Sequence, residues 1–188
     1  MKYVSADLEM LGLDIKCSII EFGAVLDDLT DIKPLNELPR FHTYIIQNQY
    51  IGEPYAMAMH SKILYRIDAK EEGYQYTYPT KLGLQFKKFL IKHGYEEKKG
   101  RVTLNLAGKN FMAFDDKFLR EHTDFHKHIN IRARTLDPGP LYYEPGDETL
   151  PSLSLCLERA GEESEVRHTA IEDSIDVIKL LRKKYTKG

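Results

Sequence analysis

The period at which apolar residues recur changes after the first quarter of this chain, and this change constrains the fold more than any other feature. In the first quarter, three apolar runs of strand character follow one another at 3–9, 18–26 and 40–46. A turn region at Gly12 separates the first two, and the acidic, proline-containing segment 27–39 separates the second from the third. Strands that follow one another in this way favour an antiparallel meander.

Helical periods begin at Pro54. Met59, Ile63 and Ile67 recur four residues apart, and a similar apolar stripe begins at Leu82. Farther along, strands and helices alternate, and we predict strands over 102–108 and 130–136 and helices over 114–121, 153–160 and 170–185. Three strands followed by such an alternation predict an α/β fold in which helices flank a mixed sheet.

The composition is typical of one globular domain. The 188 residues carry 27 basic and 29 acidic side chains, and a net charge of −2 excludes a protein that binds polyanions through bulk positive charge. We expect a single domain over 1–188, with a helical insertion at about 54–94. No apolar stretch approaches the length of a membrane span and no signal-like run opens the chain, so we expect a cytoplasmic protein without a membrane partner. Cys17 and Cys156 are expected to be reduced and buried.

Acidic side chains gather at three places, and the first is the end of the first predicted strand. Asp7 and Glu9 are two residues apart, so in a strand they point to the same face while Leu8 points to the other. Two buried carboxylates repel each other unless something neutralises them, and a divalent cation does so. The alternative is a solvated strand on which two acids occur by chance.

The second place follows the strand predicted over 102–108. Ligand sites of open α/β sheets lie where a strand passes into the next helix, and Asp115 or Asp116 would supply a third carboxylate there. The alternative is that these acids only suit the positive end of the helix dipole.

The third place is the start of the last predicted helix. Thr169 and Glu172 have the spacing of a capping box, so His168 lies just before the helix and Asp173 is its fourth residue. These two positions hold an apolar packing pair in many helices, but here they hold an imidazole and a carboxylate. A surface ion pair is the alternative interpretation.

Taken together, the three places supply four carboxylates and one imidazole, which belong to Asp7, Glu9, Asp115, Asp173 and His168. Oxygen ligands of this kind favour Mg²⁺ or Mn²⁺ over zinc. Two such ions about 4 Å apart activate a water molecule and stabilise the leaving oxygen of a phosphodiester. The set therefore predicts metal-dependent phosphodiester hydrolysis.

The same residues carry a resemblance to a known family. The segment 7–14, DLEMLGLD, resembles the first motif of the DEDDh 3′-to-5′ exonucleases, in the form that oligoribonucleases have. Asn110 with Asp115 resembles the second motif, and His168 with Asp173 resembles the third. The three motifs stand in the family's order and span nearly the whole chain.

The resemblance implies a ribonuclease-H-like fold with a mixed five-stranded sheet whose first three strands are antiparallel. It implies two divalent ions, Mg²⁺ or Mn²⁺, held by Asp7, Glu9, Asp115 and Asp173, with Asp7 between them. His168 would be the general base that takes the proton of the attacking water. Met10, Leu11 and Asn110 would contact the substrate at its terminal nucleotide, although plain core filling is the alternative for Met10 and Leu11.

These implications lead to one expected function and to its rivals. We expect a metal-dependent 3′-to-5′ exonuclease that releases nucleoside 5′-monophosphates from the 3′ end of single-stranded DNA or RNA, and we leave a homodimer open. Within the same chemistry, an oligoribonuclease or a partner of a proofreading polymerase is the alternative. The rival from another class is a nucleic-acid-binding or scaffold module that keeps the fold without turnover.

The chain departs from the family at two places. Lys109 stands where many relatives have histidine, and the helical segment 54–94 is longer than in compact members. Within that segment, Tyr55 and its methionine neighbours offer groups that stack on bases, although Met59 is expected in the core and His60 at the surface or otherwise satisfied. The basic residues that would either follow a phosphate backbone or form a solvated face are Lys87, Lys88, Lys92, Lys98, Lys99, Arg101, Arg132 and Arg134.

Overall fold

The computed structural model describes residues 1–163 and 169–186. Its strands are β1 (Lys2–Met10), β2 (Ile19–Asp28), β3 (Arg40–Ile45), β4 (Tyr76–Thr77), β5 (Glu97–Lys98), β6 (Arg101–Leu104), β7 (Leu106–Ala107) and β8 (Ile129–Ile131). Its helices are α1 (Pro54–Met59), α2 (Ser61–Ala69), α3 (Leu82–Lys92), α4 (Asp115–His122), α5 (Phe125–His128), α6 (Pro138–Leu141), α7 (Leu153–Ala160) and α8 (Ala170–Tyr185). Single 3₁₀ turns occur at Leu35–Glu37 and Pro79–Lys81.

The main sheet has five strands in the order β4-β3-β2-β1-β7. β1, β2 and β3 are antiparallel neighbours, whereas β7 runs parallel to β1 and β4 runs parallel to β3. The predicted α/β fold, a ribonuclease-H-like mixed sheet with three antiparallel strands first, is therefore confirmed. Its register places Asp7 opposite Gly23 and Glu9 opposite Glu21.

The two faces of β1 are both covered, but by different elements. Val4, Ala6 and Leu8 pack into an apolar core with Phe22 of β2 and Phe86 of α3. Tyr3, on the odd-numbered face, packs with Ile178 of α8. Since a strand alternates its side chains, Asp7 and Glu9 share the face that α8 covers.

The prediction of one strand over 102–108 is wrong, because the segment divides between two sheets. β6 pairs with β5 and β8 in a second, three-stranded sheet, while β7 pairs with β1. β6 alternates exposed and buried residues, whereas both residues of β7 are buried. Between them, the side-chain amide of Asn105 donates to the carbonyl oxygen of Lys2 at 2.9 Å, which anchors the chain where it passes from one sheet to the other.

The prediction over 130–136 is also only partly right. The strand β8 covers three residues of the second sheet, and Leu136 forms a separate parallel bridge to Ala107. Arg132 and Arg134 consequently lie outside any strand, so they do not share a strand face as predicted.

The segment predicted as a helical insertion contains α1, α2 and α3, and also β4, which pairs with β3 in the main sheet. Ile63 and Ile67 are buried as the helical stripe predicts, but Met59 is 42% exposed, so its predicted place in the core is wrong. The physical reason is that the helix is broken: α1 ends at Met59, and a new helix begins after His60. The single domain over 1–188 stays a prediction.

Two further predictions concern the interior and the membrane. Cys17 and Cys156 are both buried free thiols, as expected. Within the described ranges, no helix combines the length and the apolar character that crossing a bilayer requires.

Candidate metal centre

The acidic end of β1 lies against the first turn of α8. Asp7 and Glu9 face that helix, while Leu8 between them is buried in the opposite core. The prediction from strand alternation, that these two carboxylates converge, is therefore confirmed.

Gly23 allows α8 to come this close to the sheet. A Cβ atom at this position would lie 2.5 Å from the carbonyl carbon of Ala170 and 2.6 Å from the amide nitrogen of Ile171. No side chain fits there, and Gly23 is paired with Asp7 across β1 and β2. The start of α8 is thereby held directly beside the acidic end of β1.

The cap of α8 fixes which of its residues face the sheet. The Thr169 hydroxyl accepts the backbone N–H of Glu172 at 3.4 Å, so the predicted cap is in place. Ala170 is the first helical residue and Asp173 the fourth. Asp173 therefore lies in the first turn of α8, where its carboxylate is close to those of Asp7 and Glu9.

Three carboxylates meet at this point. One oxygen atom from each of Asp7, Glu9 and Asp173 lies within 4.8 Å of the others. Among the described residues, Oε1 of Glu9 and Oδ1 of Asp173 are buried and have no hydrogen-bond partner. An unpaired buried carboxylate oxygen is costly, and a hard divalent cation satisfies several such oxygens at once. The residues present therefore fit Mg²⁺ or Mn²⁺.

The structure distinguishes the two candidate acids of α4. Oδ1 of Asp115 accepts the backbone N–H of Leu8 at 3.2 Å, so its carboxylate lies against β1 between the two acidic residues of that strand. Asp116 instead pairs with the Arg120 guanidinium and the His126 imidazole, each at 2.7 Å. Asp115 is therefore the acid that borders the site, although it stands outside the group of three within 4.8 Å.

Burial raises the pKa of all four carboxyl groups, and neighbouring negative charges add to this. Burial, followed by the negative charges of Asp115 and Glu9, holds the pKa of Asp7 well above its ordinary range. Burial raises the pKa of Glu9 to about 9, and the charges of Asp173 and Glu21 add to this. Burial also raises the pKa of Asp115 and of Asp173 to about 7 each. A cation bound here would favour the ionised forms, so its binding would release protons.

Two neighbours of the cluster were not singled out as site residues from the sequence. Nε2 of His60, a buried residue at the junction of α1 and α2, lies 3.5 Å from Oε2 of Glu9. Glu21 of β2 stands directly opposite Glu9, and its Oε1 lies 2.5 Å from Nε2 of His42 on β3. Of the two alternatives expected for His60, a satisfied histidine is confirmed and a surface histidine is wrong.

The predicted substrate-binding residues occupy different environments. Leu11 is fully buried and packs with Ile20 and Ile63, while Met10 is partly buried against the main core. Asn110 is exposed, with a left-handed φ of +57°, and its backbone N–H donates to Asp137 at 2.8 Å. Their roles toward a nucleotide stay predictions.

Two further predicted features are the general base and the basic cluster. His168 lies outside the described residues, so its position beside Asp173 stays a prediction. In the proposed basic cluster, Lys87 pairs with Glu97 at 3.2 Å and Lys98 pairs with Glu96 at 3.3 Å. These acids offset part of the positive charge.

Comparison with known proteins gives a fold and no closer relationship. The sequence matches no protein-family model and no curated protein. Among solved structures, the chain is similar to the catalytic unit of Neurospora crassa Pan2, which comprises a protease and a nuclease domain, with a TM-score of 0.61 and 16% identity. It is also similar to cell-death related nuclease 4 (CRN-4), with a TM-score of 0.64 and 15% identity.

These similarities extend over nearly all of this chain but only part of the other two. They cover 97% of this chain and 26% of the Pan2 chain, and 100% of this chain and 64% of the CRN-4 chain. The chain thus spans about a quarter of the first structure and less than two thirds of the second. At such identities the likeness shows the shared fold alone.

Proposed function

We propose that this chain is a divalent-metal-dependent 3′-to-5′ exonuclease that releases nucleoside 5′-monophosphates from single-stranded nucleic acid. The observation that carries the proposal is the meeting of Asp7, Glu9 and Asp173, two of which have buried oxygens without a partner among the described residues. The order of the sequence motifs supports it, and so do the nuclease names of the structural neighbours.

In this proposal, the carboxylates hold two divalent ions. Asp7, Glu9 and Asp173 would bind them, and Asp115 would complete the set from α4. When bound, two such ions supply an activated water molecule and stabilise charge on the leaving oxygen of the phosphodiester. The chain's own contribution is rigidity, because β1, α4 and α8 fix the ligands before a substrate arrives.

His168 is the residue that we propose as general base. It directly precedes Thr169, the cap of α8, in the sequence, and Asp173 follows that cap by four residues. An imidazole with an ordinary pKa near 6.5 accepts a proton readily at neutral pH. In this role it would take the proton of the attacking water, as the carboxylates are occupied with the ions.

Exposed apolar side chains near the end of β1 suit the bases of a nucleic acid. Leu13, in the loop after β1, is 76% exposed, and Tyr55 of α1 is 80% exposed. The backbone N–H of Glu53 donates to the carbonyl oxygen of Leu11 at 2.7 Å, which joins the start of α1 to the end of β1. Stacking on an aromatic ring accepts any base, so we propose single-stranded 3′ ends of both DNA and RNA as substrates.

The test uses matched oligonucleotides of DNA and RNA, labelled at the 5′ or the 3′ end, with Mn²⁺ or EDTA. We expect a descending ladder from the 5′-labelled strand and immediate release of labelled mononucleotide from the 3′-labelled strand, with Mn²⁺ only. Asp7→Asn should abolish turnover, and His168→Ala should slow it by about 100-fold or more while Mn²⁺ still binds. Asp31→Asn, which removes an exposed carboxylate, is the matched control and should leave activity unchanged.

Two outcomes would overturn the proposal. Tight binding of intact oligonucleotide without products would instead identify a binding or scaffold module. Full activity of Asp7→Asn would show that any nuclease activity arises elsewhere than at this cluster.

A further inference from the structure

A buried pair on the neighbouring strands extends the acidic cluster across the sheet. Glu21 is 1% exposed and stands opposite Glu9, so the two side chains share the face that α8 covers. His42, two residues before the partner of Glu21 on β3, points to the same face and is 28% exposed at its side chain. The order along this face is therefore His42, Glu21, Glu9, from β3 to β1.

The two oxygen atoms of Glu21 have different surroundings. Oε1 lies 2.5 Å from Nε2 of His42, which donates to it. Oε2 is buried and has no hydrogen-bond partner in the described part of the chain. A buried carboxylate with one satisfied and one orphaned oxygen is destabilising unless another group approaches the second oxygen.

Two other buried acceptors of the acidic cluster also lack partners. Oε1 of Glu9 and Oδ1 of Asp173 are likewise buried without a partner among the described residues. The negative charge of Glu21 also raises the pKa of Glu9 and of Asp173, which places its carboxylate within electrostatic reach of both. Such buried acceptors require donors or a cation, because acceptors do not satisfy one another.

We propose that Glu21, held in place by His42, is a positioning residue of the cation site, whose free oxygen accepts a hydrogen bond from a water molecule that the cation orders. This inference rests on the proposed function and adds to it a pair of residues from β2 and β3. Groups that orient the ligands and water around a metal ion in this way affect metal affinity by about 10- to 100-fold.

The test is the affinity of the purified protein for Mn²⁺ alone, measured by titration calorimetry and by the electron paramagnetic resonance of free Mn²⁺. We expect His42→Phe, which keeps a ring against Tyr44 but removes the donor, to weaken binding by about 10-fold. His42→Gln keeps a donor near the position of Nε2 and should bind within about threefold of the unmodified protein. Glu21→Gln should weaken binding about as much as His42→Phe.

The histidine variants separate positioning from simple charge. His42 contributes no negative charge, so electrostatics alone predict that its removal leaves cation binding unchanged or tighter. Equal or tighter Mn²⁺ binding by His42→Phe would therefore overturn the inference, and so would equal loss in His42→Gln. Should His42→Phe fail to fold by circular dichroism, His42→Leu is measured and read in the same way.

A second histidine pair provides the control. Nε2 of His128 lies 3.2 Å from the buried Asp124, in the same kind of pair but on α5. His128→Phe should leave Mn²⁺ affinity unchanged. Absence of Mn²⁺ binding and of nuclease activity in the unmodified protein would refute the proposed function itself, whereas normal binding that ignores His42 would refute only this inference.

Discussion

At the scale of single residues, the candidate ligands are held together against their own repulsion. Asp173 is partly buried, and burial together with the charges of Asp176 and Glu21 raises its pKa to about 7. Without a cation, ionisation of Asp173 lowers the free energy of unfolding, because the carboxylate is solvated in the unfolded chain but not in the folded protein. A side chain that is needed for binding therefore destabilises the metal-free protein.

Asp173→Asn should accordingly stabilise the metal-free protein. At pH 8 in EDTA we expect the free energy of unfolding to rise by about 1–3 kcal/mol, because one buried like charge is removed. Denaturant unfolding measures this, and Mn²⁺ should no longer stabilise the variant. Asp31→Asn, at an exposed acid that pairs with Lys33 at 3.6 Å, should change stability by less than about 0.5 kcal/mol. A variant less stable than the parent in EDTA would contradict this account.

The residue scale also shows what sequence reasoning can reach. Asp7 and Glu9 are predictable because strand alternation is local, and Asp173 is predictable because its distance from the Thr169 cap is local. Glu21 is not predictable in this way. It lies in the apolar run 18–26, and only the strand register, which pairs it with Glu9, shows that it is near the site. The only signal for Glu21 in the sequence is that it is a lone acid within an apolar strand.

At the scale of elements, the site depends on how closely α8 approaches β2. Gly23→Ala should force the two apart, because its Cβ would meet the backbone of Ala170 at 2.5 Å. We expect a loss of about 1–3 kcal/mol in the free energy of unfolding and a weaker affinity for Mn²⁺, since Asp173 moves with the helix. Denaturant unfolding and Mn²⁺ titration measure the two effects.

Gly146 provides a control that distinguishes the effect of helix displacement from the effect of backbone strain. At Gly146, φ is +111° and no atom lies within 4 Å of an added Cβ. Gly146→Ala should therefore cost stability through its left-handed backbone while Mn²⁺ affinity stays as in the parent. Unchanged Mn²⁺ affinity in Gly23→Ala as well would show that Asp173 does not depend on this contact.

Elements bounded by local signals are the ones that the sequence places well. α7 and α8 begin and end at the predicted residues, because Gly161 adopts the left-handed conformation that ends a helix and Thr169 caps the next. The segment 102–108 is different, since a continuous apolar run does not reveal that one half pairs with β1 and the other half with β8. Pairing partners are a tertiary property, and periodicity does not contain them.

At the scale of the whole molecule, the raised carboxyl pKa values couple folding to pH and to metal. In the folded protein Asp115 and Asp173 titrate near pH 7 and Glu9 near pH 9, whereas the ordinary values are 3.8 for aspartate and 4.5 for glutamate. At pH values between the ordinary and the raised pKa values, the folded state binds more protons than the unfolded state. Stability then falls as pH rises, because the slope of unfolding free energy with pH follows the difference in bound protons.

The thermal midpoint in EDTA should therefore decrease from pH 5.5 to pH 8.5, and Mn²⁺ should reverse this trend. The cation binds the ionised carboxylates, so its stabilising effect grows as protons leave, reaching about 2.7 kcal/mol at a concentration 100 times the dissociation constant. Differential scanning fluorimetry at three pH values, with EDTA or Mn²⁺, measures both trends. A midpoint in EDTA that rises with pH would mean that these acids are paired or solvated in the folded protein, and the metal centre would then lose its electrostatic basis.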